Sequence, residues 1–210
     1  FAAFPGRHAQ ALYDLVKPVF PEIVLASSVL ETALTNINAI FHPPGMIMNA
    51  GWIEHTGGDF RFYAEGITEA VGQVTKAVDD ERLAVARALG IPSIPFLEAF
   101  HRAGLTTAEA VASGSISRAC KESAPNTEIK SPSSLRDRYV FEDVGYGLVP
   151  FSAFGKLAGV PTPTIDALTT LAGHSVGHDF WQSALTLEKM GLADVSRDQL
   201  DNFLMTGSAK

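Results

Sequence analysis

The sequence predicts an all-α domain, and two observations carry this prediction. Apolar residues recur at steps of three and four positions in almost every segment of the 210-residue chain, whereas runs that alternate apolar and polar residues are short and few. The longest such segment, residues 67–89, has one apolar side and ends at Gly90 ahead of Pro92. A chain of this length usually forms one domain, so we expect the 67–89 helix to be the spine of a single unit over residues 1–210.

Before this spine, three helices are predicted, over residues 8–17, 26–41 and 46–55. Hydroxyl side chains near Ser28 are suited to cap the start of the second helix, and Pro43 with Pro44 is expected to end it, because proline has no backbone N–H to donate. Gly57 supplies the left-handed residue that closes the third helix. Aromatic and charged residues alternate over Asp59–Tyr63, which indicates a short extended piece or a loop.

After the spine, seven helices are predicted, over residues 95–103, 107–113, 116–122, 149–157, 164–173, 180–190 and 197–205. The segment 123–134 interrupts this series. It holds the densest run of serine, proline and asparagine in the chain, so we expect it to be a functional or mobile loop.

Composition excludes several classes of function. The chain is 46% hydrophobic and 19% charged, which is typical of a folded domain rather than a disordered one. A net charge of −7 gives no cationic surface for nucleic acid, and no apolar run approaches the ~20 residues that cross a bilayer. The single cysteine, Cys120, allows no intrachain disulfide and fits a reducing, cytoplasmic compartment.

Nucleotide-binding motifs are also missing from the sequence. No Gly-x-Gly-x-x-Gly follows a strand, and no Gly-x-x-x-x-Gly-Lys-Ser/Thr loop occurs. By itself the chain is therefore not expected to hold a dinucleotide or a triphosphate through its backbone amides.

The first cluster that could carry chemistry is Asn36–Met46, where polar groups interrupt an apolar helix. Asn38 and His42 are four apart and so share a helix face. Because Pro43 follows it, His42 is expected at a helix C-terminus, where the dipole favours imidazolium and the ring can exchange a proton near neutral pH. The alternative interpretation, favoured by the residues alone, is that His42 only caps helix carbonyls.

The second cluster is Arg136–Gly147. Arg138 offers a planar fork for a carboxylate, and Asp143 offers an acceptor that could orient an imidazole. Five positions apart on a regular helix, they point about 140° away from each other, so they serve one site only if the helix is interrupted or the site wraps around it. The alternative is a solvated face with Arg138–Glu142 pairing.

The other histidines do not form a metal-binding motif. His174 and His178 have helical zinc spacing, but no glutamate follows the first histidine as in a metalloprotease, and two glycines weaken the helix. A structural role or a place at the edge of a substrate site is expected for both, and no metal is expected.

Together the two clusters resemble a known family. The run Leu30–Pro44 (LETALTNINAIFHPP), followed by Ile47–Gly51 (IMNAG), resembles the start of the helical C-terminal domain of opine dehydrogenases of the octopine and nopaline type. The run Arg138–Pro150 (RYVFEDVGYGLVP) resembles the second signature of that domain. The resemblance extends from about residue 4 to residue 191, and the combination is specific although neither motif is specific alone.

The resemblance implies a fold and an activity. The fold is the multi-helix substrate or dimerisation domain of opine dehydrogenases and 6-phosphogluconate-dehydrogenase-like proteins. The activity is that of an NAD(P)-dependent oxidoreductase, which condenses an amino acid with a 2-oxo acid such as pyruvate and reduces the product. In this family an N-terminal Rossmann domain binds NAD or NADP. That domain is absent from this sequence, and the fragment is not expected to turn over alone.

The resemblance also assigns roles to residues. The family's catalytic histidine corresponds to His42, its partner aspartate to Asp143 and its carboxylate-binding arginine to Arg138, while Asn38 and Asn49 are further candidates for orienting the substrates. The implied partners are the two small-molecule substrates and the Rossmann domain. Whether the protein forms a homodimer, which substrates it takes, and whether it uses NAD or NADP are not determined.

Other functions stay open at this stage. The chain could belong to a ketopantoate-reductase-like or glycerol-phosphate-dehydrogenase-like oxidoreductase without an amine substrate, or be a non-catalytic helical dimerisation module. If a partner domain is missing, an apolar surface should be exposed, and we expect it around Phe1, Phe4 and Met46–Trp52.

Overall fold

The computed structural model describes residues 1–208 and, within them, confirms the all-α prediction: there are thirteen α-helices and no strand. The α-helices are α1 (Ala9–Val16), α2 (Val29–Leu34), α3 (Asn38–Met48), α4 (Ala50–Thr56), α5 (Glu69–Ala88), α6 (Phe96–Arg102), α7 (Ala108–Ser113), α8 (Ile116–Lys121), α9 (Arg138–Asp143), α10 (Val149–Ala158), α11 (Pro163–Val176), α12 (Phe180–Ser183) and α13 (Arg197–Thr206). A 3₁₀ turn (Gly6–His8) precedes α1, and two π-helical turns occupy Phe62–Gly66 and Val144–Leu148.

The spine helix α5 forms as predicted. The Thr68 side chain accepts a hydrogen bond from the Val71 N–H at its start, and Gly90 has a left-handed φ of 71° just after its end. One side of α5 is buried and packs against α3, α8, α10 and α11. The apolar period therefore places α5 at the centre of the domain.

Helix α3 corrects the sequence analysis at its prolines. The predicted helix over 26–41 is broken between Leu34 and Asn38, and α3 begins at Asn38, so Pro43 and Pro44 lie inside it. Both prolines leave a preceding carbonyl without its usual i→i−4 partner. Residues 39–46 are nevertheless all buried, and packing against α5, α9 and α11 offsets that loss.

Arg82 is fully buried in α5 and joins three segments. Its guanidinium donates to the Asp79 carboxylate at 2.9 Å and to the carbonyl oxygens of Leu34 and Ile94, each at 2.7 Å. The Asp79 carboxylate also accepts from the Phe96 N–H at 2.8 Å. Because α2 ends at Leu34 and α6 begins at Phe96, this ion pair ties both helices to the spine.

Three further segments test the predicted boundaries. The helix predicted over 180–190 is shorter, since α12 ends at Ser183 and turns follow. Asp59–Tyr63 forms only one isolated antiparallel bridge, between Arg61 and Lys130, before the π-helical turn begins at Phe62. The segment 123–134 has no helix, as predicted, and Cys120 is buried.

The predicted apolar surface is found in part, and its largest portion lies elsewhere than expected. Phe4 and Trp52 are half-exposed, but Met46 is completely buried in α3, which corrects its inclusion. The most exposed apolar side chains in the N-terminal region belong instead to α1 and the segment after it: Leu15, Val19, Phe20 and Val24. Helix α1 has no fully buried residue, and its Leu12 and Leu15 are exposed.

Candidate active site

The site forms where α3 crosses α9. His42 lies in the middle of α3, and Asp143 is the last residue of α9, which continues directly into the Val144–Leu148 π-helical turn. Gly147 permits the close approach of these elements, because a Cβ atom at this position would overlap Ala39. The two predicted residues, 101 positions apart in the chain, therefore meet.

His42 uses both ring nitrogens in hydrogen bonds. Its Nδ1 lies 2.7 Å from Asp143 Oδ2, and its Nε2 lies 2.9 Å from the Tyr63 hydroxyl. The Tyr63 hydroxyl lies in turn 2.9 Å from the Tyr139 hydroxyl. The result is a continuous chain of hydrogen bonds from a carboxylate through an imidazole to two phenols, and its first link confirms the predicted contact between His42 and Asp143.

Aromatic rings enclose the His42 imidazole. The Tyr139 ring stacks on one side with centroids 3.7 Å apart and planes 9° apart, and the Phe41 ring stacks at 4.4 Å and 23°. Phe62 contacts the imidazole edge-on at 6.2 Å. Only 2% of His42 is exposed, so the ring is fixed in position and shielded from bulk water.

Burial controls the charge of this histidine. Desolvation lowers the pKa of His42 below its usual value, the hydrogen bond and charge of Asp143 oppose that shift, and the Arg138 charge adds to it. The imidazole is therefore neutral at neutral pH, with Nδ1–H donated to the Asp143 carboxylate and the Nε2 lone pair directed at Tyr63. This corrects the expectation that a helix C-terminus favours imidazolium, because His42 lies in mid-helix.

Arg138 lies at the start of α9, next to the enclosed ring. It is exposed, its guanidinium carbon lies 5.6 Å from the Tyr139 ring centroid, and its charge acts on both His42 and Tyr63. Within residues 1–208 it forms no ion pair, including the alternative pair with Glu142. The site therefore includes two sides of α9: Arg138 is exposed to solvent on one side, and the α9 residues that contact His42 face the interior on the other.

The predicted residue Asn38 lies one turn of α3 before His42. It is the first residue of α3 and is exposed, and its backbone N–H donates to the Asn36 side chain at 3.1 Å. It makes no contact with His42, one turn further along the helix, in the hydrogen bonds of residues 1–208. Its substrate-orienting role stays a prediction.

The Asn49 side chain is buried, and its hydrogen bonds stabilise the fold. Its side-chain amide donates to the carbonyl oxygens of Gly45 at 2.8 Å and Gly66 at 2.9 Å. Gly66 ends the π-helical turn that carries Tyr63. These contacts support a role for Asn49 in positioning that turn, and they leave neither amide proton for a substrate.

Sequence reasoning missed two residues of the site, Tyr63 and Tyr139. Tyr139 precedes Asp143 by four positions, so both lie on the same face of α9. This spacing is sufficient to predict from the sequence that Tyr139 lies beside Asp143. Tyr63 gave no comparable signal. It follows a segment expected to be extended or a loop, and only the π-helical turn directs its hydroxyl towards α3.

Two of the other histidines, His174 and His178, line a separate cleft. A surface cavity of about 390 Å³ is bordered by both His174 and His178. Helix α11 ends before Gly177, whose φ is 63°, so the two imidazoles do not share a helix. The described residues 1–208 contain no group of three or more His, Cys, Asp or Glu side chains that could hold a metal ion.

This fold and this site define an all-helical domain that encloses a His–Asp pair beside an open arginine. Residues 25–176 match the family described as "NAD/NADP octopine/nopaline dehydrogenase, alpha-helical domain", and the chain belongs to this family. It is 38% identical over 200 residues to an opine dehydrogenase of Arthrobacter sp. (strain 1C), which covers 93% of this chain and 53% of the relative. It is 28% identical over 163 residues to a vitopine synthase of Allorhizobium ampelinum (strain ATCC BAA-846 / DSM 112012 / S4), covering 75% and 42%.

Solved structures agree with this assignment of the fold. Octopine dehydrogenase with NADH and L-arginine superposes with a TM-score of 0.67 at 18% identity, over 95% of this chain and 54% of that one. Octopine dehydrogenase with NADH and agmatine gives 0.63 at 19%, over the same shares. The chain thus spans about half the length of the relatives it matches.

Proposed function

We propose that these residues form the substrate-binding and catalytic domain of an NAD(P)-dependent opine dehydrogenase. The reaction is the reductive condensation of an amino acid with a 2-oxo acid such as pyruvate, and its reverse. The observation that carries the proposal is the buried contact of 2.7 Å between His42 Nδ1 and Asp143 Oδ2. Family membership and relatives named as opine dehydrogenase and vitopine synthase support it.

The reaction requires an acid–base group, and we propose that His42 is this group. The amine adds to the carbonyl of the 2-oxo acid, and the resulting hydroxyl leaves as water once it receives a proton. We assign that proton to the imidazolium form of His42, which returns to the neutral imidazole, and the reverse reaction returns the proton to it. The Asp143 carboxylate only accepts hydrogen bonds, so it keeps Nδ1 protonated and leaves Nε2 as the exchanging nitrogen.

Arg138 supplies the positive charge for the 2-oxo acid. Its guanidinium fork matches a carboxylate in two parallel hydrogen bonds. It is exposed and engages no carboxylate within residues 1–208, so it is available to a ligand. We assign Asn38, also exposed at the start of α3, to the same open side.

The residues of this chain do not fit the diphosphate of a dinucleotide. Residues 1–208 contain no strand, and the sequence has no glycine-rich strand-to-helix turn, which is the usual diphosphate site. We therefore propose that a Rossmann domain elsewhere in the full-length protein holds NAD or NADP and supplies the hydride.

The exposed apolar surface is consistent with such a partner. Leu15, Val19, Phe20 and Val24 are each more than half exposed, and apolar groups concentrated in this way commonly mark an interface. We propose that the nucleotide-binding domain or a second subunit covers them. None of the helices in residues 1–208 is long and apolar enough to span a bilayer.

The test is an assay of the full-length protein for oxidation of NADH or NADPH with a panel of 2-oxo acids, each with and without amino acids. Consumption that requires the amine supports the proposal, whereas amine-independent reduction of the oxo acid indicates a reductase of another class. His42→Ala should lower the rate of condensation about a hundredfold or more, the usual contribution of acid–base catalysis. Cofactor binding should change little. Near-normal turnover of this variant would remove His42 from its assigned role.

A further inference from the structure

We propose that the hydroxyls of Tyr63 and Tyr139 form the route by which His42 exchanges its proton with the open face beside Arg138. This inference rests on the proposed function, because it takes His42 as the acid–base group. It adds two residues that carry the proton over the last steps between the buried ring and the surface.

His42 has no direct access to water or to a ligand. One ring nitrogen contacts Asp143, the other contacts Tyr63, and the Phe41 and Tyr139 rings cover the two faces. Only 2% of the His42 residue is exposed. Since Asp143 faces Nδ1 and is itself buried, a proton bound for Nε2 has to pass the Tyr63 hydroxyl unless that side chain moves away.

From the Tyr63 hydroxyl the route continues outward. The Tyr63 side chain is buried, but its hydroxyl lies 2.9 Å from that of Tyr139, which is only partly buried. Tyr139 adjoins Arg138, which is exposed. The two phenols therefore lead from the enclosed nitrogen to the side of α9 on which a carboxylate ligand of Arg138 would bind.

The chain of hydrogen bonds can carry one proton without leaving any charge on a phenol. With neutral His42, Tyr139 donates to Tyr63 and Tyr63 donates to Nε2. When a proton reaches the Tyr139 oxygen, each hydroxyl passes its own proton inward, and His42 becomes imidazolium. Nε2–H then donates to Tyr63, and Tyr63 donates to Tyr139. The reverse shift delivers one proton outward, so that atoms and charge balance in both directions.

The surrounding groups favour this concerted movement over an ionised intermediate. The titratable groups that act on His42 are Asp143, Arg138 and Asp137. Those that act on Tyr63 are Tyr139, Cys120 and Arg138, of which Arg138 carries a charge at neutral pH. Burial and the Tyr139 hydrogen bond raise the pKa of Tyr63 above its usual value, and burial raises the pKa of Cys120 to about 12. Both groups stay neutral near pH 7, so neither one traps the proton.

The test compares Tyr63→Phe and Tyr139→Phe in the full-length protein, each of which keeps the ring and removes one hydroxyl. Tyr146→Phe is the matched control, because Tyr146 is 67% exposed and lies in the π-helical turn that follows α9. The first measurement is the exchange of the His42 ring proton with water, followed by NMR of protein labelled with ¹⁵N-histidine. The second is kcat, KM and the solvent deuterium isotope effect for amine-dependent NAD(P)H oxidation.

We expect both site variants to slow exchange and to lower kcat by at least about tenfold, a part of the usual contribution of acid–base catalysis. The solvent isotope effect should rise while the KM for the 2-oxo acid changes less than about threefold, a separation that a packing defect would not produce. Tyr146→Phe should match wild type. If Tyr63→Phe shows normal exchange of the His42 ring proton and a normal kcat, the proposed proton route is wrong.

These experiments can refute the proposed function and the proton route independently of each other. If His42→Ala abolishes condensation while Tyr63→Phe is fully active with normal exchange, the route is overturned and the proposed function is retained. If wild type shows no amine-dependent oxidation but Tyr63→Phe and Tyr139→Phe slow the exchange of the His42 proton, the proposed function fails and the proton route is supported.

Discussion

Replacing Asp143 by asparagine tests how the carboxylate governs His42. The Oδ2–Nδ1 contact of 2.7 Å is buried at both ends, with side-chain exposures of 11% and 3%. A hydrogen bond that involves a charged group contributes about 1.5–3 kcal/mol, so its loss corresponds to roughly ten- to a hundredfold in rate. Asparagine can also donate to Nδ1, which places the proton on Nε2 and directs it at Tyr63, so the tautomer is no longer fixed.

The pH dependence of this variant has a defined sign. Asp143 raises the pKa of His42 against the larger effect of burial, so its removal lowers that pKa further. For opine oxidation, in which neutral His42 is the base, wild-type kcat/KM should fall only below about pH 6.5, the ordinary histidine value. In the pH profile of Asp143→Asn, the fall of kcat/KM on the acid side should occur at still lower pH, and the maximum value of kcat/KM should be lower than in wild type.

The assay is the pH profile of kcat/KM for opine oxidation, with Glu142→Gln as control. Glu142 is the neighbouring carboxylate on α9 and is exposed, so its neutralisation should leave plateau and limb near those of wild type. An Asp143→Asn enzyme with an unchanged plateau and an unchanged acid limb would refute the assignment of Asp143 as the partner of His42.

Two further predictions follow from the exposed and the buried arginines. Arg138→Ala should raise the KM for the 2-oxo acid at least about tenfold with a smaller effect on kcat, because the guanidinium binds a carboxylate that does not itself react. Steady-state kinetics with the 2-oxo acid concentration varied measures this KM, and an unchanged KM contradicts the prediction. Asp79→Ala should lower the free energy of unfolding by about 3–5 kcal/mol, because it leaves the guanidinium of Arg82 buried without its carboxylate. Urea unfolding measures this loss, and Asp80→Ala, which removes only an exposed pair with Lys76, should change stability far less.

The helices with strong periodicity were predictable because their apolar side and their end signals agree. For α5, one apolar side and the closing Gly90 predicted a helix over residues 67–89, and the structure has it over Glu69–Ala88, with Gly90 in a left-handed conformation just after its end. The helix predicted over 180–190 ends at Ser183, although Gly191 follows the predicted end with a φ of 73°, so apolar spacing and a closing glycine do not by themselves produce a continuous helix.

The candidate site was predictable to the extent that its residues lie in recognisable runs. The histidine and the aspartate were singled out from two segments far apart in the chain, and the structure brings them within hydrogen-bond distance. Tyr63 could not be identified in this way, because it is recruited by a π-helical turn that Asn49 links to α3 through Gly66.

The sequence by itself determined the helical class, the spine helix and the two runs that carry His42 and Asp143. The apolar period, the capping residues and the motifs are local signals, because each depends on residues only a few positions apart in the chain. Tertiary structure alone decided that α3 continues through Pro43 and Pro44, since burial of residues 39–46 outweighs two missing backbone hydrogen bonds. It also decided the protonation of His42. A helix end would favour the charged ring, whereas enclosure by aromatic rings removes the water that a charge requires, and the desolvation lowers the pKa.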